Sequence, residues 1–277
     1  MTVHLRFFAA IAALFFCLNV SAQGFQPQVG QAGKDVIWVP TPDEVVDRML
    51  TMAQVTPNDI HFDLGAGDGK IAIAAAKKFG ARATGIEFNP DMVKHANSNA
   101  QSAGVAGVGP GKAIIRHGDI FATDFSQATV ITLYLLPSLN MKLRPQLLSM
   151  KPGTRVVSHS FTMEDWEADE ISSMDGRRAY FWVVPANVMG NWTLESNGQR
   201  VDLTFEQVFQ KISGSVNFGP MQGGLRDAKL RGAGIAFAYV DGAGVRRDFT
   251  GRVNGTRMEG TSRDEKGADG RWSATKK

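Results

Sequence analysis

An acidic residue followed by three alternating glycines is the feature of this sequence that most clearly indicates chemistry. Asp63 lies near the end of a mostly apolar run at residues 60–64 and precedes Gly65, Gly67 and Gly69, which are followed by an alanine-rich segment of high helix propensity. The order is therefore strand, tight turn, helix. Glycines allow such a turn to adopt positive φ and to pass close to a ligand, while the helix N-terminus presents free N–H groups to the same crevice. The pattern predicts a nucleotide site at the carboxyl end of a first parallel strand.

The spacing of the glycines bears on which nucleotide is bound. A dinucleotide fingerprint, G-x-G-x-x-G, would need a third glycine where Lys70 stands. The D-x-G-x-G-x-G pattern resembles instead motif I of the seven-strand, class I S-adenosylmethionine (SAM)-dependent methyltransferases. The resemblance implies SAM as the cofactor, with the glycines beside it and the Asp63 carboxylate binding its methionine ammonium. A glycine turn in some other α/β domain is the alternative interpretation.

Three further segments are in register with this motif. Residues 80–87 indicate a second strand ending in Glu87, where an acid accepts both ribose hydroxyls; an ordinary surface acid is the alternative. Gly-Asp-Ile at 118–120 resembles the adenine-binding turn of the family, which implies that Asp119 accepts from the adenine amino group and that Ile120 also lies at the cofactor. Thr41 or Asp43 can cap a helix that covers the SAM pocket in methyltransferases, and Thr41 is expected at the cofactor.

The resemblance implies transfer of the SAM methyl group by in-line displacement, for which the protein mainly orients the reactants and excludes water. The acceptor is expected where the fourth strand ends. Many amino-group methyltransferases carry Asn/Asp-Pro-Pro-Tyr there, whereas this chain has Leu-Tyr-Leu-Leu-Pro at residues 133–137. Tyr134 is a candidate for lining the methyl-transfer channel, with a core aromatic as the alternative. His159 is a candidate base, with a structural histidine as the alternative.

The acceptor itself stays open at this stage. The motifs at 39–42, 63–69 and 85–87 look most like those of small protein-lysine methyltransferases. We therefore expect a protein lysine or a small molecule as the methyl acceptor. A non-catalytic exported SAM-binding protein, with a β-domain as its functional surface, is the main alternative. An NAD-linked oxidoreductase is disfavoured by Lys70.

The remaining elements predict two domains. Residues 39–185 are expected to form an α/β, Rossmann-like seven-stranded methyltransferase sheet, in which the apolar run 129–137 is a central strand and 168–185 supplies an antiparallel tail. Residues 186–277 alternate apolar and polar residues between recurring Gly turns, which predicts a second, smaller all-β domain, a barrel or a sandwich. It resembles lipocalin-like β-domains. The Gln/Gly-rich residues 23–38 are expected to form a flexible arm.

The N-terminus has the pattern of a secretory signal peptide. A short basic start with His4 and Arg6 is followed by an apolar core and small residues that end at Ala22. Cleavage after Ala22 and export to the periplasm or medium are predicted, with an uncleaved anchor as the alternative. The single cysteine, Cys17, would be lost, which excludes a disulfide or thiolate site in the mature chain. No transmembrane segment is expected after cleavage.

Composition narrows the possible partners. A hydrophobic content of 43% argues against wholesale disorder. The net charge is +3, without a clustered arginine run or a stacking aromatic platform, so nucleic acid is an unlikely partner. His61, His95 and His117 are scattered without the spacing of metal ligands, and no metal site is predicted. The sequence leaves the oligomeric state open.

Overall fold

The computed structural model describes residues 25–265 and 267–277, so the signal peptide predicted for residues 1–22 lies outside the described part. The helices of the described part are α1 Asp43–Met52, α2 Lys70–Phe79, α3 Pro90–Ser102 and α4 Pro137–Leu148. The strands of the first sheet are β1 Ile60–Leu64, β2 Arg82–Glu87, β3 Ala113–His117, β4 Val130–Leu133, β5 Arg155–His159, β6 Glu170–Met174 and β7 Arg177–Val183. None of the described helices is long and apolar enough to cross a membrane.

The first sheet has seven strands in the order β3-β2-β1-β4-β5-β7-β6. Strands β1 to β5 pair in parallel, and β7 runs antiparallel between β5 and β6. The strand order reverses direction between β1 and β4, and in open α/β sheets the crevice at such a point binds ligands. The predicted Rossmann-like seven-stranded sheet with an antiparallel tail is thereby confirmed.

Strand β1 divides its side chains between two apolar cores. Side chains alternate along a strand, so Phe62 and Leu64 point to one face and His61 and Asp63 to the other. Phe62 and Leu64 belong to the core that also contains buried leucines of α4. The opposite face is covered by the apolar sides of α1 and α2. Two polar side chains of β1 therefore lie on the face covered by α1 and α2.

Two local expectations need correction. Strand β4 ends at Leu133 rather than continuing to Pro137, because α4 begins at Pro137, whose fixed φ and missing N–H suit the first helical position. Tyr134 therefore follows the strand instead of lying on it. Helix α1 is preceded by Pro42 without a side-chain cap, so neither Thr41 nor Asp43 caps it. The Thr41 hydroxyl hydrogen-bonds His159 instead.

The second sheet confirms the predicted all-β domain. Its strands are β8 Gly190–Ser196, β9 Gln199–Val208, β10 Lys211–Asn217, β11 Gln222–Gly224, β12 Arg226–Arg231, β13 Gly234–Val240, β14 Arg246–Asn254, β15 Arg257–Asp264 and β16 Asp269–Lys276. They form one antiparallel sheet in the order β11-β10-β9-β8-β16-β15-β14-β13-β12. Leu225, which joins the two outer strands β11 and β12, donates to the Gly214 carbonyl of β10 at 2.9 Å. The sheet is a nearly closed barrel around an aromatic core rather than a sandwich.

The two domains contact each other on the side away from the carboxyl ends of the parallel strands. A Cβ placed on Gly232, in the turn after β12, would lie 3.0 Å from the Cα of Gly153, which precedes β5. The turn between β9 and β10 adds Phe209, whose ring stacks on Trp166 with 6.0 Å between ring centroids. The barrel thus packs near the amino end of β5.

Candidate functional site

A cavity of about 300 Å³ opens at the carboxyl ends of β1, β2, β3 and β4, within the size range of small-molecule sites. Most of the residues predicted from sequence line it together: Thr41, Asp63, Gly65, Gly67, Glu87, Asp119, Ile120 and Tyr134. Gly69 and His159 are not among the described residues that line it. The structure therefore brings together the acids and most of the glycines that the sequence placed in one site.

The glycine turn after β1 needs its glycines for two different reasons. Gly65, Gly67 and Gly69 have φ of 82°, 52° and 79°, a region that other L-residues rarely adopt. A Cβ on Gly67 would lie 2.5 Å from the Nε1 atom of Trp38, so the backbone here passes directly beneath the indole. A Cβ on Gly69 would instead lie 3.1 Å from Ala96. Gly69 is therefore needed for close packing behind the turn, not for contact with the indole.

Glu87 ties the glycine turn to the end of β2. Its Oε2 atom accepts from the Gly67 amide at 2.9 Å, and its Oε1 atom accepts from the Asn89 amide at 2.8 Å. Both carboxylate oxygens are thus held in place at the cavity wall. Each oxygen keeps a second lone pair, so the carboxylate can accept from a diol as the ribose role requires.

Asp63 is the most deeply buried acid of the site, with 2% of its surface exposed. Its Oδ1 atom accepts from the Thr132 hydroxyl at 2.8 Å. Burial raises the pKa of the Asp63 carboxyl to about 7, with further increases from Asp68 and Glu87, while the Thr132 hydrogen bond lowers it. A cationic group in the cavity would favour the ionised form.

Asp119 is engaged by a residue that sequence reasoning missed. Its Oδ1 atom accepts from the Phe121 amide at 2.9 Å, and its Oδ2 atom accepts from the Lys34 ammonium at 2.6 Å. The Lys34 hydrogen bond is the main cause of a pKa below the usual range for the Asp119 carboxyl. The carboxylate predicted to accept from adenine therefore already holds a cation.

Lys34 belongs to a small hairpin that covers the cavity. Gly30 donates to the Trp38 carbonyl at 2.8 Å, Trp38 donates to the Gln31 carbonyl at 2.9 Å, and residues 31–38 line the cavity. The Lys34 ammonium also lies 4.6 Å from the centroid of the Phe88 ring. Trp38 is the single aromatic residue within 26–40, and it is the one feature of this segment that could have indicated from sequence that the segment packs on the site. The flexibility expected of the arm stays a prediction, while its position is over the site.

Aromatic side chains form the end of the cavity beyond β4 and β5. The Tyr134 ring lies 4.0 Å from the His159 imidazole and 6.2 Å from the Phe161 ring, between centroids. The His159 Nδ1 atom is 3.1 Å from the Thr41 hydroxyl, and its Nε2 atom is buried without a partner in the described part of the chain. Burial, aided by Arg177, lowers the pKa of His159 to about 4. His159 is thus a neutral group behind Tyr134.

The cavity can hold an elongated molecule with different chemistry along its length. Buried and half-buried carboxylates line one end of the cavity, next to the glycine turn, where there is no room for a Cβ. Aromatic side chains close the other end. An ammonium group, a ribose and a base would each find the kind of partner that they need. These residues fit SAM, whose sulfonium methyl group supplies the electrophile.

Comparisons with known proteins agree with this geometry. Residues 63–170 match the family model described as the ANTKMT methyltransferase domain. A protein-lysine N-methyltransferase of Saccharolobus islandicus is 44% identical over 142 residues, which are 50% of this chain and 86% of that protein. The chain belongs to the ANTKMT methyltransferase family. It is accordingly a SAM-dependent methyltransferase.

Two further relatives show how far the likeness to this methyltransferase extends. The adenine nucleotide translocase lysine N-methyltransferase of Mus musculus is 29% identical over 123 residues; the match covers 44% of this chain and 52% of that protein. A crystal structure of an RNA methyltransferase from Salinibacter ruber, in complex with S-adenosyl-L-homocysteine, is 51% identical with a TM-score of 0.52. It covers 54% of this chain and 96% of that chain. About half of this methyltransferase is thus shared with each relative.

Proposed function

We propose that this methyltransferase transfers the SAM methyl group to the ε-amino group of a protein lysine. The observation that carries the proposal is the 44% identity to a protein-lysine N-methyltransferase across 86% of that protein. The lining of the cavity supports it, because Tyr134, Leu136, Leu139 and Phe161 offer an apolar and aromatic wall to the aliphatic stem of a lysine.

The same wall favours the reactive form of the lysine. An amine attacks the SAM methyl group only when it carries a free lone pair, so the ammonium must first lose its proton. Apolar surroundings disfavour the charged form and lower the pKa of an amine. His159 adds no positive charge there, because its lowered pKa keeps it neutral. We assign His159 the task of holding the Tyr134 ring, and Tyr134 the task of lining the channel.

For the cofactor we propose the roles implied by the motif resemblance. Asp63 binds the methionine ammonium, Glu87 the ribose hydroxyls and Asp119 the adenine amino group, with Thr41 and Ile120 also lining the cofactor site. Glu87→Ala should weaken SAM binding at least about tenfold, the order expected when hydrogen bonds to a charged group are lost. Titration calorimetry measures this loss; unchanged affinity would contradict the assignment of Glu87.

Transfer of a tritiated methyl group from SAM to protein extracts tests the lysine acceptor. Label is expected in protein, and mass spectrometry should place the added methyl groups on lysine. Extracts whose lysines have been blocked by acetylation, which converts each ε-amine to a non-nucleophilic amide, serve as the control and should accept no label. Transfer that survives this blocking would exclude lysine. SAM binding without transfer to protein, RNA or small molecules would instead favour the non-catalytic alternative.

RNA is a second candidate acceptor, because the 51% identical Salinibacter ruber protein is described as an RNA methyltransferase. The sequence of this chain argues for protein, since its net charge is only +3 and it has no arginine cluster. The same labelling experiment with total RNA, followed by nuclease or protease digestion, separates the two. Label released by nuclease and retained after protease would overturn the protein-lysine proposal.

We propose in addition that this methyltransferase is exported. The support is the composition of residues 1–22, with their basic start, apolar core and small residues before Gln23. Mass spectrometry of the protein recovered from fractionated cells tests the proposal. A mature chain beginning at Gln23 outside the cytosol is expected, whereas an intact N-terminus in the cytosolic fraction would contradict export.

A further inference from the structure

Beside Asp63 lies a chain of polar groups that the proposed function does not use. Strands β1 and β4 pair so that Asp63 is opposite Thr132 and His61 is opposite Val130. The Thr132 hydroxyl lies between the two β1 side chains, 2.8 Å from the Asp63 Oδ1 atom and 2.9 Å from the His61 Nε2 atom. Asp63 is 2% exposed, and His61 and Thr132 are 0% exposed. One end of this chain lines the cavity, and the other is sealed in the core.

The hydrogen bonds of the chain have one direction when Asp63 is ionised. A threonine hydroxyl has one proton, and an ionised carboxylate can only accept. Thr132 therefore donates to Asp63, and its oxygen must accept from an N–H on the His61 Nε2 atom. The Nδ1 atom of His61 is then the bare nitrogen, and within the described residues it has no hydrogen-bond partner. The His61 nitrogen that carries no hydrogen is therefore also the one that has no hydrogen-bond partner.

The groups packed around these hydrogen bonds influence whether Asp63 is ionised. The buried residues of α1 and α2, which cover this face, are all apolar. The charged groups that act on the chain are acidic: Asp59 on His61, and Asp68 and Glu87 on Asp63. From α2, the Lys70 ammonium is paired with Asp43 at the start of α1, at 2.9 Å. His61 stays neutral because burial lowers its pKa to about 3.

We propose that His61 and Thr132 are positioning residues, which orient the Asp63 carboxylate toward the cationic end of SAM and stabilise its ionised form. The proposal rests on the role of Asp63 in cofactor binding under the proposed function. Burial and the acidic neighbours both favour the protonated form of Asp63. The hydrogen bond from Thr132 favours the ionised form, and His61 fixes the direction of that hydrogen bond. SAM affinity should therefore depend on pH through Asp63, with tighter binding as the carboxyl loses its proton.

Calorimetric titration of the whole chain with SAM between pH 5.5 and 8.5 tests the proposal. In Thr132→Val, which keeps the shape but loses the hydroxyl, the pH midpoint of binding should rise by about one unit, so that affinity below the midpoint is about tenfold weaker. Thr132→Ser keeps the hydroxyl and should retain the wild-type midpoint. His61→Leu should shift it in the direction of Thr132→Val, by less. Asp63→Asn sets the limit of weak, pH-independent binding.

The outcomes distinguish the positioning role of His61 and Thr132 from cofactor binding itself. A wild-type chain that does not bind SAM at any pH would sink the proposed function. If the wild-type protein binds SAM, but Thr132→Val and Thr132→Ser have the same pH midpoint of binding, only the positioning role of His61 and Thr132 is overturned. Nitrogen-15 NMR of the wild-type histidines is a second readout that needs no variant. A proton on the Nε2 atom of His61 is expected above the midpoint, and a proton on Nδ1 there would overturn the proposal.

Discussion

The contact between Gly67 and Trp38 makes a quantitative prediction about the hairpin over the cavity. Gly67 has a φ of 52°, which costs an alanine about 1–2 kcal/mol relative to glycine. The added Cβ would also lie 2.5 Å from the Nε1 atom and 2.9 Å from the Cδ1 atom of Trp38, well inside the optimal carbon separation of about 3.5–4.0 Å. Gly67→Ala must therefore displace the indole as well as strain the turn.

Gly104 provides a matched control that isolates the backbone cost. Its φ is 76°, and a Cβ placed there would meet nothing within 4 Å. We expect Gly104→Ala to lower the free energy of unfolding by about 1 kcal/mol, and Gly67→Ala to lower it by about 2–3 kcal/mol, because crowding adds to the strain. The difference of about 1–2 kcal/mol belongs to Trp38 and should disappear when Trp38 is truncated.

Urea unfolding of a double-mutant cycle measures this coupling. The cycle compares Gly67→Ala in the wild-type chain with Gly67→Ala in a Trp38→Ala background, both followed in the transition of the seven-stranded domain. In the Trp38→Ala background the cost of Gly67→Ala should fall to that of Gly104→Ala. An equal cost in the two backgrounds would refute the position of the indole, and with it the closed hairpin over the glycine turn.

Three further predictions concern ion pairs and the domain contact. Lys34→Met should tighten SAM binding by about twofold to fivefold, because it frees Asp119 from a partly exposed ion pair; calorimetry showing weaker binding would contradict this. Although burial raises the pKa of the Asp59 carboxyl, hydrogen bonds from two threonines and the Arg155 charge hold it below its usual range. Asp59 therefore stabilises the fold above its unfolded pKa of about 4, and this stability is lost as the pH falls through the lower folded value. The urea midpoint of Asp59→Asn should fall short of wild type at pH 7 and approach it in acid, and a gap that does not change with pH would count against the reasoning. Phe209→Ala should separate the melting of the two domains in calorimetry, whereas a single unchanged transition would show that the domains are not coupled through this ring.

The parallel sheet could be predicted because its signals are local. The acid and glycines after β1 and the acid that ends β2 each stand at a strand end, and the carboxyl ends of neighbouring parallel strands meet by topology. Asp63, Glu87 and Asp119 thus reach one cavity without any knowledge of side-chain contacts. The all-β domain was equally accessible, since its alternation and turns are spaced along the chain.

What could not be predicted depends on contacts between distant residues. The hairpin over the cavity is held by Lys34, which pairs with Asp119, 85 positions further along the chain. Thr41 looked like a helix cap because its position before α1 is the only information that the sequence gives. In the structure its hydroxyl is used by His159, from the far side of the site. Local patterns do not encode such pairings, because either partner alone has several equivalent options.

The pairing of β8 with β16 sets an order in which the chain can acquire its structure. The strands of the first sheet all lie before residue 184, so that sheet can form as soon as this length of chain is available. The barrel depends on joining its first strand to its last, Asp269–Lys276, across the whole length of the domain. Such non-local closure is slow relative to local contacts. During synthesis the methyl-transfer domain therefore emerges first, and its barrel remains an open ribbon until the final strand is released.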